Sequence, residues 1–329
     1  MSETLYFVGL DVGGTSMKCG IVDDAGNSHS LVNLPTEPER GQEAGLATMA
    51  EAIRQAVAAA HLTLADIAAI GVATPGLGDI PTGTIVDPPN LKPWKNVPVK
   101  QYIMDTFHLP TTYQNDANAA AYGEFWMGAA KGVDSMVLFT LGTGVGGGVI
   151  VNGRIVEGRH SHGGELGHMK IVVRDGRWCG CGRRGCLEAY ASATSVVKRT
   201  REALSAGAPS SRLRCMVTNL DHLSAREVFE AASAGDELAA SIVEETAFYL
   251  AIGAVNAMHT VDPDMVVFAG GMVAAGEPFL ARIRHHVLEN ACAIPAAKTE
   301  VRFATLGGDA GYIGAAGCAR QAYHDQRRR

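Results

Sequence analysis

Two stretches of this 329-residue chain share one unusual order: an apolar strand, a turn made of glycine, then a second strand. The first is Tyr6–Asp11, Gly13-Gly14-Thr15 and Lys18–Asp23. The second is Ser135–Leu141, the run from Gly142 to Gly148, and Val149–Val151. Adjacent glycines let a backbone approach a ligand closely and aim successive N–H groups at an anion. An ordinary glycine hairpin is the alternative at the first of them. A chain that opens each half in this way is expected to be a duplicated α/β unit with a cleft between its halves.

The rest of the sequence fits that plan. Ser28–Asn33 makes a third strand, Glu43–Ala60 is alanine-rich with helical spacing, and Ile67–Ala73 reads as a buried strand. Val99–His108 follows as a helix, Thr111–Gln114 as a strand and Ala117–Met127 as a helix. In the second half Met169–Val173 is expected as a third strand. Helices are expected over Leu223–Ala234, Asp236–His259 and Pro278–Glu289, interleaved with the strand Met265–Ala269 and the segment Thr299–Thr305. The final helix, Asp309–Gln321, is expected to pack back on the first half. Single cores stop growing near ~250–300 residues, so two domains are expected: 1–117 joined by 309–329, and 118–308.

Composition excludes several classes. The 39 glycines are about 12 % of the chain, against about 7 % on average. A hydrophobic content of 47 % and a mean hydropathy of +0.07 exclude a disordered chain. No run approaches the ~18–20 apolar residues of a membrane span. Met1 to Asp11 lacks the basic segment of a secretion signal, so a cytoplasmic protein is expected. With 28 Lys+Arg against 34 Asp+Glu the net charge is −6, which gives no general attraction to nucleic acid or anionic membrane. Arg327-Arg328-Arg329 is read as a solvated end.

Four stretches carry chemistry. Gly142-x-Gly144-x-x-Gly147 has the spacing of a dinucleotide fingerprint, but that fingerprint needs a helix next, and Val149-Ile150-Val151 is β-branched. A strand–turn–strand phosphate loop fits better. Gly270-Gly271 follows a strand and can accommodate a flat base or begin a helix. Gln114-Asn115-Asp116 joins a strand to a helix; capping explains one of its last two residues, and an acid there can take a proton from a hydroxyl.

The fourth stretch is the most specific. Of seven cysteines, three lie within Cys179–Cys186, and His168 completes the spacing H-x10-C-x-C-x4-C. Cys₃His is a tetrahedral structural zinc set; free thiols or a redox pair are the alternatives. Four protein ligands leave no open position, so such a zinc shapes a site and does not activate water. Glu165 and Glu188 flank the ligands and can accept hydrogen bonds from a polyhydroxylated ligand, or else make helix-end contacts. His160 and His162 are read as loop residues.

Asp11–Lys18, Asn115-Asp116, the Leu141–Val149 loop with Gly158 and Gly164–His168, and Cys179–Glu188 together resemble the ROK family (repressors, open reading frames and sugar kinases). Asn90-Leu-Lys-Pro-Trp94 and Leu306–Gly311 are similar to further segments of it. The resemblance covers nearly the whole chain. It implies an actin-like ATPase (ribonuclease H-like) α/β fold, ATP and Mg²⁺ in the cleft, and γ-phosphoryl transfer to a sugar hydroxyl. Carried over by position, Asp116 is the general base. Asn90, Asn115, Asp116, Glu165, His168 and Glu188 are sugar contacts. Gly13, Gly14, Thr15, Gly142, Thr143 and Gly144 form the two phosphate loops, Asp11 belongs with them to the cofactor-binding set, and Gly270 and Gly271 lie on the nucleoside side. His168, Cys179, Cys181 and Cys186 hold Zn²⁺, with the second ring nitrogen of His168 left for the sugar. Lys18 is left outside the set, as a side chain free to point to solvent.

The pattern as a whole places D-glucose, phosphorylated at C6, first. N-acetylmannosamine, N-acetylglucosamine, fructose and allose are the alternatives, and the cysteine cluster disfavours polyphosphate as donor. Repressors of the family carry a helix-turn-helix before the first phosphate strand, and five residues precede Tyr6. A regulator therefore stands second, and a sugar-binding protein without catalysis third. The expected partners are ATP and a small sugar, without nucleic acid or membrane, in a homodimer or homotetramer.

Overall fold

The computed structural model describes residues 4–88, 90–207, 211–216 and 220–328; Arg329 of the arginine tail lies outside them. Tyr6–Val12 (β1), Ser16–Asp23 (β2) and Ser28–Pro35 (β3) form an antiparallel meander, followed by the helix Gln42–Ala59 (α1). Ile67–Thr74 (β4) lies parallel to β1. Leu77–Asp79 (β5) and Thr84–Asp87 (β6) pair as a small hairpin before Val99–Phe107 (α2). Thr111–Asn115 (β7) lies parallel to β4 and runs straight into Asp116–Trp126 (α3). The order of this sheet is β3-β2-β1-β4-β7.

The second series begins with Met136–Leu141 (β8), Val145–Val151 (β9) and Arg154–Ile155 (β10). Helices follow at Glu188–Ala191 (α4), Ala193–Ser205 (α5), Leu213–Met216 (α6), Ala225–Ser233 (α7) and Glu237–Val261 (α8). Met265–Ala269 (β11), Glu277–Asn290 (α9), Ala293–Lys298 (α10), Glu300–Phe303 (β12) and Ala310–Arg327 (α11) complete it. The sheet order β10-β9-β8-β11-β12 repeats that of the first, with β11 parallel to both β8 and β12. The expected duplication is present.

Strand alternation sorts β1 between two cores. Val8, Leu10 and Val12 face Met49, Ile53 and Ala56 of α1, whereas Phe7 packs with Val22, Ala69 and Tyr312, Ile313 and Ala316 of α11. Two glycines on the second face let α11 come down onto the sheet. A Cβ on Gly9 would lie 1.9 Å from the Tyr312 carbonyl oxygen, and one on Gly71 1.9 Å from that of Ala315. Helix α3 meets α11 in the same manner, since a Cβ on Gly314 would lie 1.6 Å from the Ala119 carbonyl oxygen.

These contacts give compact units with other limits than 1–117 and 118–308. One comprises Met1–Val133, Gly148–Gly164 and Thr305–Arg329; the other comprises Asp134–Gly147 and Glu165–Ala304. Helix α3 belongs with the first unit because it is packed on α11, and the chain changes unit within β9.

Three expectations need correction. Met169–Val173 is not a strand; Ile171 and Val172 donate to the Gly185 carbonyl around the cysteine loop, and the third strand is β10 instead. Strand β9 starts at Val145, so Gly146–Gly148 belong to the strand. Gly148 is required there by α3, because a Cβ on it would lie 2.5 Å from the Ala121 Cβ. Helix α8 is long and apolar enough to cross a membrane by length and composition. Leu250, Ala251, Ala254 and Met258 of that helix are buried in the second unit, and its Glu244 and Glu245 are paired with Arg282 and Arg199.

Candidate active site

In the first unit the chain leaves β1 at Val12 and turns through Gly13, Gly14 and Thr15. The turn is closed by Gly13 N–H donating to the Ser16 carbonyl at 2.9 Å and by Thr36 Oγ1 donating to the Gly13 carbonyl at 2.7 Å. Asn90 lies against Gly14, where a Cβ would stand 3.0 Å from its carbonyl oxygen. Asp11 is on the α11 face of β1, beneath the first turn of that helix. A Cβ on Gly311 would lie 2.1 Å from Asp11 Oδ2. Burial, and then the neighbouring Asp116, push the Asp11 carboxyl up to about 7, against the opposing pull of Lys18.

At the junction of β7 and α3, Asn115 is the N-cap: its side chain accepts from the N–H groups of Ala117 at 2.9 Å and Asn118 at 3.4 Å. Asp116 is the first residue of the helix and accepts from Ala117 N–H at 2.8 Å. Behind them Gln114 accepts from Asn115 N–H at 3.2 Å and donates to Glu157 at 2.5 Å. Glu157 is a contributor that sequence reasoning missed; nothing local marks a residue brought there from a distant loop.

Lys18 does not point to solvent. Its Nζ donates to the Gly308 carbonyl at 2.7 Å and lies 3.3 Å from Asp309 Oδ1.

In the second unit the turn between β8 and β9 is Gly142-Thr143-Gly144, closed by Gly142 N–H donating to the Gly144 carbonyl at 3.0 Å. A Cβ on Gly142 or on Gly271 would meet open space. Both line a cavity of about 800 Å³ together with Thr143, Ser224, Phe229 and Met272. That volume suits a small-molecule ligand. Gly270 has another reason to be glycine: its φ is +94°, and a Cβ would lie 2.5 Å from the Leu141 carbonyl oxygen.

The cysteine cluster is assembled as expected. One ligand atom from each of His168, Cys179, Cys181 and Cys186 lies within 4.8 Å of the others. Cys181 and Cys186 Sγ are 3.7 Å apart, as are Cys179 Sγ and His168 Nδ1. Zinc–sulfur bonds of about 2.3 Å place tetrahedral sulfurs about 3.8 Å apart, so the donor set and its spacing fit Zn²⁺. His168 Nε2 faces Glu165 Oε2 at 4.0 Å, with 39 % and 48 % of the two side chains exposed, which leaves both within reach of a ligand. Glu188 opens α4; its Oε2 accepts from Val145 N–H at 3.1 Å, and its Oε1 lies 3.2 Å from Cys179 Sγ.

The ROK family model matches residues 7–322, and the chain belongs to that family. It is 36 % identical over 316 residues to the glucokinase of Halalkalibacterium halodurans, covering 96 % of this chain and 95 % of that protein. Among solved structures, the ROK hexokinase from Thermus thermophilus is 33 % identical with a TM-score of 0.83, covering 97 % of this chain and 99 % of that one. A ROK family glucokinase from Streptomyces griseus, in complex with glucose and AMPPNP, is 32 % identical with a TM-score of 0.77, covering 96 % and 99 %. The fold is that of the actin-like ATPases.

Proposed function

We propose that this member of the ROK family is a cytoplasmic sugar kinase that transfers the γ-phosphoryl group of ATP to the C6 hydroxyl of D-glucose. The observation that carries the assignment of the base is the division of labour at the β7–α3 junction. Asn115 takes the N-cap position, so Asp116, which also accepts from Ala117 N–H, is not itself the cap. Asp116 accepts the hydroxyl proton as the new oxygen–phosphorus bond forms and the bond to the ADP oxygen breaks. Asn90, Asn115, Glu165, His168 and Glu188 accept and donate hydrogen bonds at the sugar hydroxyls. Gly13, Gly14, Thr15, Gly142, Thr143 and Gly144 offer backbone N–H groups to the phosphates, and the cavity beside Gly271 takes the nucleoside. Asp11 would be the residue that holds Mg²⁺, which when bound would supply positive charge beside the phosphates. The zinc ligands fix the loop that carries Glu165, His168 and Glu188, and no step passes through that metal. The full-length likeness to glucokinases supports glucose over other sugars.

The test is an ADP-release assay across glucose, N-acetylmannosamine, N-acetylglucosamine, fructose and allose, with Asp116→Asn alongside. Glucose is expected to give the highest kcat/KM, and the variant to lose about 10²–10⁴-fold in kcat. An undiminished Asp116→Asn removes the base assignment, and a different leading sugar replaces glucose. Silence on every sugar replaces the kinase with a sugar-responsive regulator.

A further inference from the structure

Strand β7 stands at the edge of its sheet, beside β4. An edge strand presents N–H groups that no further strand takes. The N–H of Asn115, the residue before Asp116, is taken by a side chain instead: it donates to Gln114 Oε1 at 3.2 Å. Asn118 Nδ2 donates to the same oxygen at 3.3 Å, and Gln114 Nε2 donates to Glu157 Oε1 at 2.5 Å.

A backbone N–H only donates, and a carboxylate only accepts. Gln114, 4 % exposed, lies between the two, and its amide has one orientation that satisfies both. Asn118 defers to it. Its Nδ2 is turned to Gln114, and its Oδ1 is left buried without a partner among the described residues. Glu157 is exposed, yet its backbone is held. Gly163 N–H donates to the Glu157 carbonyl at 2.8 Å, and Ser161 Oγ of the same loop accepts from Ile80 N–H at 3.0 Å. A Cβ on Gly163 would lie 2.0 Å from the Val156 carbonyl oxygen, so the loop closes there on a glycine.

We propose that Glu157 is a positioning residue for the phosphoryl transfer. By accepting from Nε2 it turns the Gln114 amide so that the amide oxygen holds the Asn115 N–H. Asn115 is then gripped on both sides, by Gln114 at its N–H and by the first N–H groups of α3 at its side chain. That grip sets the backbone from which Asp116 is presented. The inference rests on the kinase reading in that Asp116 must meet a sugar hydroxyl.

Three variants separate the sense of the hydrogen bond from packing and charge: Glu157→Gln, Glu157→Ala and Glu157→Lys. The position is exposed, so each is expected to fold. Glutamine keeps an acceptor and should hold kcat within about twofold of wild type, whereas alanine leaves water to accept and should lose about 2- to 10-fold. Lysine only donates, so it claims Gln114 Oε1 from Asn115. It should lose at least about tenfold, toward the roughly 10²-fold that an ångström of misplacement costs. In a Gln114→Met chain the further loss on Glu157→Lys should shrink to within about twofold, since the amide that couples them is gone. An effect of reversed charge alone would persist there. The second readout is hydrogen exchange of the Asn115 amide in the ligand-free chain. It should be at least about tenfold faster in Glu157→Lys than in wild type and restored in Glu157→Gln. An alanine variant as impaired as the lysine variant, a lysine effect undiminished in Gln114→Met, or unchanged Asn115 exchange overturns the inference. If the wild-type chain phosphorylates no sugar, the kinase reading falls by itself, and the exchange still decides whether Glu157 governs this junction.

Discussion

Glu188 and Val145 are joined by a hydrogen bond of 3.1 Å from the valine N–H to Oε2, and Oε1 of the same carboxylate lies 3.2 Å from Cys179 Sγ. One side chain thereby lies against both the glycine turn and the sulfur cluster. It reaches because α4 starts two residues after Cys186 and because Gly144 has no side chain in the way; a Cβ there would lie 2.4 Å from Oε2. Glu188→Ala leaves the buried Val145 N–H without this acceptor, a cost of about 1–3 kcal/mol. Nucleotide affinity, titrated with AMPPNP and no sugar, should fall by roughly 5- to 30-fold if about 1–2 kcal/mol of that reaches the turn. Unchanged affinity would show that the turn holds its shape without Glu188.

Metal removal gives a second expectation. The purified chain should carry about one zinc per molecule, the capacity of a single Cys₃His set. Saturating zinc at a thousand times its Kd stabilises a folded chain by about 4 kcal/mol. Chelation should therefore lower Tm by several degrees, and Cys181→Ser should lower the bound zinc below half. A chain whose Tm ignores chelators would hold four unligated side chains in this cluster.

The raised carboxyl of Asp11 has a signed effect on stability. Its ordinary value is 3.8 and its folded value about 7. Below about pH 4 folded and unfolded chains are both protonated there, and the contribution is fully present. As pH rises toward 7 the unfolded chain has released the proton that the folded chain still binds, so stability is lost through that window. By pH 8 the buried charge costs on the order of 2–4 kcal/mol. Asp11→Asn should accordingly be more stable than wild type by about that amount in urea at pH 8 and nearly equal to it at pH 4. No gain at pH 8 would place the carboxylate in a more polar setting than its burial implies.

Glycines of the two kinds should separate in a melting experiment. Gly314→Ala drives a Cβ into the Ala119 carbonyl, and overpacking of this kind costs about 1–3 kcal/mol or more. Gly271→Ala meets open space and should leave stability within about 1 kcal/mol of wild type. Equal melting of the two variants would contradict the close approach of α3 and α11.

Much of this was legible from the chain alone, and the failures have physical reasons. Strands β1, β4 and β11 stood out because both faces of each are buried, which leaves uninterrupted apolar runs. Met169–Val173 has the same appearance, but its backbone is spent on Gly185, a partner set by the fold of the cysteine loop. Helix α5 is hard to see in the sequence because it is rich in serine, threonine and arginine, and its buried Arg199 is paired with Glu245 of α8. The cysteine cluster could be read by spacing because its ligands are close in sequence. The grip of Gly308 on Lys18 joins opposite ends of the chain, and no local pattern announces it.

Helix α11 also sets an order of events during synthesis. The first unit needs 305–329, which the ribosome adds after every residue of the second unit. Until then Phe7, Val22 and Ala69 lack the helix that covers them. A nascent chain thus carries an exposed apolar sheet face for most of its translation, and the body begun first is the one finished last.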